Sequence, residues 1–582
     1  MKLSVMALDY DGTIATNDAL NPAIRDAIAA ARASGIVVLI VTGRTLEDLQ
    51  RVAGTLHVVD GVVAENGAVL HFPDSGYTSL LAPPVPSEWV DDLRRGGLTV
   101  AAGHCLVDAS AADSPALLQA IRAARLPLVL VFNAGRVMVM PQGVSKATGL
   151  RAALDALRLS PRNALAIGDA ENDHELLRLA EVGAAVSWGS HALQAAADLI
   201  VPGVDQNGLA DWIRLVAQGR TLPPLARARR RLLLGYTDRG EPLSLAVRGR
   251  NVLIAGDAKS GKSWVAGLLC EQLITHGYSV CVLDPEGDYV SLEGLPGVTV
   301  LGGDDSPPTP RELRRALRYP DRSLVIDLSH LAQDEKTEYI RGALPALNEI
   351  RRQTGLPHRV LVDEAHYFLN DAGFRALIDL ERNGYTFVTY SASCLPPQLL
   401  AAAEVMIVTR ESSPVEVEAL RKWCTTCRPV DHAQWEVLGH LKSGQAVALP
   451  ITEESGGDLR VFNVAARLTP HVRHREKYVD VPVTDHKAFV FGAGATGTRA
   501  RTLRQFVAAL EGTPARAAAG FLRRGDFSRW IGDVFGDHAL AGQLLRLEEQ
   551  FCEGSRPDAI DGILVAIRER YDLADDSEPG AA

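Results

Sequence analysis

Cysteine, aromatic residues and long apolar runs are all scarce in this chain, and each shortage narrows what it is. Seven cysteines in 582 residues are too few and too scattered for a disulfide scaffold. Their odd number and positions (105, 270, 281, 394, 424, 427 and 552) read as the reduced thiols of a cytoplasmic protein. Cys424 and Cys427 form a lone CxxC with His432 and His440 downstream, and without a second CxxC a helix end explains the pair better than zinc does. The longest apolar stretches, such as GIVVLIV at 35–41, fall far short of the ~20 residues that cross a bilayer, so no membrane association is expected. Asp9 and Asp11 come too early to leave room for a secretory apolar segment. Positive charge is also in deficit. Lys and Arg number 60 against 71 Asp and Glu, a formal net charge of −11, which argues against a surface coated with phosphate-binding cations.

At about 150 residues per domain the length implies roughly four units. Charge places one boundary. Residues 1–215 hold 16 basic and 23 acidic residues, 216–250 hold 8 and 2, and 251–582 hold 36 and 46. A short basic segment, with Pro223-Pro224 and then A-R-A-R-R-R at 226–231, therefore separates two acidic bodies and reads as a linker over 216–231. It is the one place where nucleic acid could be held.

Short apolar runs at 4–8, 36–41, 61–64, 164–167, 183–186 and 198–201 alternate with helix-period segments, which predicts a parallel, doubly wound α/β sheet. The rhythm breaks over 81–143, where strands near 98–107 and 127–140 surround a helix at 114–125, the pattern of an inserted α+β cap. A second strand–helix series runs through 251–256, 279–284, 323–327, 359–363, 386–390 and 405–409, and 451–582 is mainly helical in pattern.

Asp9-Tyr10-Asp11-Gly12-Thr13 falls where the first strand ends, the edge at which open α/β sheets bind ligands. The same edge should collect Thr42-Gly43-Arg44, Lys146 and Gly168-Asp169-Ala170-Glu171-Asn172-Asp173. These supply a carboxylate nucleophile, a second carboxyl for proton transfer, a hydroxyl and an ammonium for phosphate, and an acidic pair for magnesium. The order D-x-D-G-T, T-G-R, K, G-D-x-x-N-D resembles the haloacid dehalogenase (HAD) superfamily, in particular its Cof-type phosphatases with a class II cap, over about 1–215 (core 1–80 and 144–215, cap 81–143). The resemblance implies Asp9 as nucleophile, Asp11 as general acid/base, Thr42 and Lys146 on the phosphate, and Asn172 orienting the site. It also implies Mg²⁺ on Asp169 and Asp173, together with Asp9 and the Asp11 carbonyl. The short cap favours a small organic phosphate ester.

Gly256-Asp257-Ala258-Lys259-Ser260-Gly261-Lys262-Ser263 fits G-x-x-x-x-G-K-[ST] between a strand and a helix. Its backbone N–H groups can converge on the phosphates of ATP, with Lys262 on the outer oxygens and Ser263 supporting Mg²⁺. Asp363-Glu364 ends a later apolar strand, with Asp363 placed to hold the metal through water and Glu364 to activate the attacking water, so hydrolysis is expected. With Asp284-Pro285-Glu286-Gly287-Asp288-Tyr289, this RecA-like unit at 232–450 resembles the HerA/FtsK-like ATPases. One departure is that no glutamine follows strand 386–390 until Gln398. Arg410 is open to two readings, an arginine finger reaching another copy in a homo-oligomer or a surface salt bridge. In the last third, Thr469 to Tyr478 is a basic and aromatic run with His471 and His474, Phe527, Trp530 and Ile531 have the spacing of a helix core, and 575–582 reads as a frayed tail. The whole resembles bacterial HAD–ATPase fusions. Two other readings stay open: a nucleic-acid-associated ATPase whose HAD unit trims phosphorylated ends, and a phosphatase gated by ATP. The hydrolytic Asp363-Glu364 pair tells against a polynucleotide kinase.

Overall fold

The structure, a computed structural model, describes residues 1–133, 135–225, 229–246, 249–370, 373–380, 382–423, 435–450, 459–470, 479, 483, 487–492, 497–535 and 538–571. Cys424, Cys427, His432, His471, His474 and the 575–582 tail lie outside the described residues, so those expectations are not addressed.

The first body is an eight-stranded sheet with Val5–Asp9 near its centre, flanked by Ala164–Gly168 and Val37–Val41. Parallel strands run outward to Leu199–Ile200 on one side and to Gly61–Ala64 on the other, where an antiparallel hairpin, Val69–Phe72 and Tyr77–Leu80, completes the edge. All five residues of Val5–Asp9 are buried because helices cover both faces, which is why the strand reads as an unbroken apolar run. Helix Pro22–Ala33 starts on the Asn21 side chain, which accepts the Ala23 N–H. It buries Ile24, Ala27, Ile28 and Ala31 at helical spacing and packs on helix Gln206–Gly219. That second helix buries Val216 and Ala217, so the segment taken from sequence as linker begins inside its last turn.

The inserted cap is a four-stranded antiparallel sheet, Leu128–Asn133, Arg136–Pro141, Val107–Ser110 and Ala101–Ala102, with helices Ser87–Arg95 and Ser114–Ala124 on one face. Val107, Ala109, Val137 and Val139 pack with Trp89, Leu117 and Ile121 of the helices. The alternate residues Met138 and Met140 turn to the other face and meet the core at Gly43 and Asn66.

The second body is an eleven-stranded mixed sheet. Val405–Val408, Val252–Ala255, Tyr385–Thr389, Arg359–Val362, Val280–Asp284, Ser323–Asp327 and Val298–Gly302 are parallel neighbours in that order. Gln445–Pro450, Arg460–Val464, Leu232–Tyr236 and Pro242–Leu245 extend it antiparallel. The unit therefore continues past residue 450, because Arg460–Val464 hydrogen-bonds between two of its strands. The third body joins the hairpin Phe489–Phe491 and Thr498–Ala500 to helices Leu503–Glu511, Ala515–Arg524, Asp526–Trp530, His538–Cys552 and Ala559–Tyr571. Phe527, Trp530 and Ile531 are core residues there.

Among the described residues of the basic segment, Arg229, Arg230 and Arg231 are used inside the chain. Arg229 and Arg230 donate to the Leu177, Arg178 and Ala180 carbonyls at the end of helix His174–Leu179, and Arg231 donates to the Ser244 carbonyl. Arg230 and Arg162 lie 3.3 and 3.4 Å from Glu181, whose carboxylate also accepts the Tyr278 hydroxyl at 2.9 Å from the second body. Beside them His358 Nδ1 accepts the Ser279 N–H, so its Nε2–H donates to Asn163 Oδ1 at 3.0 Å. Burial, with Arg162 nearby, pushes the His358 pKa down to about 3. The neutral ring stabilises the folded chain above the unfolded value of about 6.5, and that contribution is lost as pH falls from there toward 3. Between pH 6.5 and 5, urea unfolding should lose about 2 kcal/mol more in the wild type than in His358→Gln.

Candidate functional site

Asp9 ends the central strand of the first sheet and is nearly sealed from solvent at 3% exposure. Lys146, the first residue of helix Lys146–Leu157, places Nζ 2.5 Å from Asp9 Oδ1 and 2.7 Å from Asp173 Oδ1. Thr13 donates its hydroxyl toward Asp9 at 3.1 Å and stands 3.2 Å from Asp169. Asp173 Oδ2 accepts the N–H groups of Asp169 and Ala170, which fixes the loop after strand Ala164–Gly168. Asp9, Asp169 and Asp173 bring carboxylate oxygens within 4.8 Å of one another. Gly12 permits this: its φ is +77°, and a Cβ there would fall 2.2 Å from Asp169 Oδ2.

Three carboxylates against one ammonium leave the cluster negative. Burial and then the Asp173 charge hold Asp9 well above the usual carboxylate range, and the same two causes raise Asp169. Burial works against the Lys146 ammonium, but Asp173 and Asp9 outweigh it and keep the group protonated. Both amide atoms of Asn172 are buried with no hydrogen bond among the described residues. A hard, oxygen-ligated cation suits this donor set.

Asp11 lies apart from the cluster, its carboxylate held by Arg44 at 2.7 Å, while Arg44 also pairs with Asp18 and Asp48. Thr42 is buried at the neighbouring strand end, where its hydroxyl accepts the Arg44 N–H. Sequence reasoning gave no role to Thr13 or Arg44, although both stand within its motifs, and it missed two others. Trp188 donates from Nε1 to the Gly12 carbonyl at 2.7 Å. Glu65, at φ +51°, accepts the N–H groups of His104 and Cys105 and so latches the cap to the core.

In the second body, Gly256 and Gly261 take φ of +148° and +103° around the loop that leads into helix Lys262–Thr275. Lys262 Nζ donates to the Asp257 carbonyl at 2.9 Å, and the Ser263 hydroxyl donates to Asp288 at 2.6 Å. Asp288 is held in turn by buried Asp284, which accepts its N–H and that of Tyr289. The acid facing Ser263 is thus supplied by the 284–289 turn, a partner that sequence spacing alone did not reveal. Asp363 and Glu364 are buried at the end of Arg359–Val362, with Glu364 at φ +47° and its carboxylate 3.6 Å from His366 Nδ1. His366 Nδ1 also meets the Thr389 hydroxyl at 3.0 Å, and burial pushes its pKa down to about 4. Thr389 therefore stands at the strand end where a glutamine was sought, and Gln398 is exposed on a later helix. Arg410 lies 3.6 Å from Asp257 of its own chain, which is the salt-bridge reading.

With both sites in place, the chain belongs to the haloacid dehalogenase-like hydrolases through residues 6–93 and 101–213. A second family, the central domain of helicase HerA, matches residues 242–356, so a HAD-like hydrolase and a HerA-type domain are joined in one polypeptide. Among curated relatives, phosphoglycolate phosphatase of Halorubrum lacusprofundi is 31% identical over 35% of this chain and 93% of its own length. The enzyme of the same name from Natronomonas pharaonis is 30% identical over 34% and 89%. A further match, 45% identical to the chloroplastic endoribonuclease YBEY of Arabidopsis thaliana, spans only 13% of each protein. Among solved structures, a HAD-superfamily phosphatase of Bacteroides thetaiotaomicron shares 24% identity over 37% of this chain and 95% of that one, with a TM-score of 0.31. No helix among the described residues is long and apolar enough to cross a membrane.

Proposed function

We propose that the chain is a Mg²⁺-dependent phosphatase of small organic phosphate esters, carrying an ATP-binding and ATP-hydrolysing P-loop domain. The observation that carries this is Asp9, buried at a central strand end with Lys146 on one oxygen and the Thr13 hydroxyl on the other. A carboxylate oxygen of Asp9 bonds to phosphorus as the ester P–O bond breaks, and Asp11 gives the leaving oxygen its proton. Water then attacks the aspartyl phosphate, passing a proton to Asp11 and releasing inorganic phosphate and free Asp9. Lys146 and Thr42 hold the phosphoryl oxygens, and Asn172 orients the site. Asp9, Asp169 and Asp173, with the main-chain carbonyl of Asp11, would hold Mg²⁺, which would supply the charge neutralisation that lets one anion approach another. In the P-loop unit, the 256–261 backbone and Lys262 bind the ATP phosphates and Glu364 activates water, while Ser263 and Asp363 would hold a second Mg²⁺. The phosphoglycolate phosphatases among the relatives support a small substrate, and the free Cys105, Cys270, Cys281, Cys394 and Cys552 support the cytoplasm. Screening small phosphates beside 5′- and 3′-phosphorylated oligonucleotides tests the assignment. Turnover is expected on the small esters, and turnover confined to oligonucleotides would overturn it.

The basic segment lends the nucleic-acid reading less than its charge suggested, since Arg229, Arg230 and Arg231 hydrogen-bond within the chain. The gated reading gains one. The P-loop helix Lys262–Thr275 is followed by Tyr278, whose hydroxyl binds Glu181, and Glu181 lies just beyond helix His174–Leu179, which Asp173 precedes. ATP should change phosphatase kcat/KM by at least about fivefold, a response reduced in Tyr278→Phe. An equal response in both proteins would exclude this route.

A further inference from the structure

The turn of the P-loop is held from outside by the third body. Asp257 follows the first glycine of the loop and is buried to 5% exposure, which sets a carboxylate beside a cradle meant for a polyanion. It accepts the Ser412 hydroxyl at 2.8 Å, and its charge is balanced by Arg410 at 3.6 Å and Lys487 Nζ at 3.3 Å. Burial alone would raise the Asp257 pKa, but Ser412 and Lys487 outweigh it and keep the group ionised. Burial, with Asp257 nearby, pushes the Glu411 carboxyl on the adjoining turn up to about 8, which favours its neutral form. Ser412 and Arg410 follow the strand Val405–Val408, which lies beside the strand Val252–Ala255 that leads into the loop. Lys487 lies elsewhere: its carbonyl accepts the Trp530 Nε1–H at 2.8 Å, and Trp530 stacks on Phe506 with ring centroids 4.7 Å apart.

Two more contacts follow the same direction. Ala258 packs against the aromatic core of the third body, and Lys259 Nζ lies 5.8 Å from the Phe535 ring centroid. Phe535 closes the five-residue π-helical turn Ile531–Phe535, a rare geometry that recurs at functional sites. Three consecutive residues of the phosphate loop, Asp257, Ala258 and Lys259, are thus engaged by one module.

Building on the reading of 256–263 as a nucleoside-phosphate loop, we infer that the C-terminal module is the outer wall of the nucleotide site and that Lys487 is a determinant of nucleoside di- and triphosphate affinity. Lys487 offsets Asp257, and the Ala258 and Phe535 contacts fix the turn whose N–H groups face the phosphates.

Titration of the full-length chain with a fluorescent ADP analogue and Mg²⁺ tests this. Lys487→Gln should weaken binding about tenfold, with the loss shrinking at high salt, and Lys487→Arg should restore it to within about twofold. The thermal unfolding midpoint, recorded for each variant, distinguishes lost binding from lost folding. Lys262→Ala provides the reference. If the wild type binds, Lys262→Ala does not, and a folded Lys487→Gln binds as well as or better than wild type, the inference is overturned while the P-loop reading stands. A glutamine variant that weakens binding only by unfolding, or an arginine variant that rescues nothing, overturns it too. If the wild type itself binds no nucleotide, the P-loop reading fails and the inference with it.

Discussion

Asparagine in place of Asp9 should lower phosphate-ester hydrolysis by at least about 10³-fold, because an amide cannot form the phosphoryl–enzyme bond. The substitution keeps side-chain volume and leaves Lys146 its second partner, Asp173, 2.7 Å away. The site should therefore stay assembled, and thermal unfolding should show a folded protein. Inorganic phosphate release from a small ester reads the loss, and a burst of labelled aspartyl phosphate seen with the wild type should vanish. Activity within tenfold of wild type would remove Asp9 as nucleophile.

The second large effect belongs to Glu364. Glutamine there should reduce ATP turnover by about 10²-fold or more with little change in KM, since it fits the same space but cannot take a proton from water. The setting favours a clean result. Glu364 is buried, its N–H is held by the Asp363 carboxylate at 2.9 Å, and its neighbour His366 is neutral at pH 7. Phosphate release from ATP at saturating Mg²⁺ measures the change. A variant as active as wild type would mean that another group activates the water.

The parallel strands were legible because burial on both faces writes them as unbroken apolar runs, as in Val5–Asp9 and Val280–Asp284. The antiparallel extension was not, since nothing local in Arg460–Val464 says that it lies between Gln445–Pro450 and Leu232–Tyr236, more than two hundred residues away in the second case. The chemistry divides in the same way. Asp9, Lys146, Asp169 and Asp173 stand at strand ends or helix starts that periodicity can locate, whereas Asp288 facing Ser263 and Thr389 facing His366 depend on how elements more than twenty residues apart are brought side by side. Charge counting led furthest astray at Arg229–Arg231. Excess positive charge in a Pro-containing segment reads as an exposed tether, but carbonyl oxygens at a helix end carry no formal charge and are invisible to such a count.

That lock around Glu181 bears on how the protein can be handled. Severing the polypeptide near residue 225 would deprive Glu181 of Arg230 and Tyr278 together and strip Asn163 of its histidine. Each half would emerge with a raw polar scar that its own fold cannot heal. A phosphatase fragment expressed alone would start at a disadvantage that the intact chain does not share, with Arg162 left as the remaining partner of Glu181 named above.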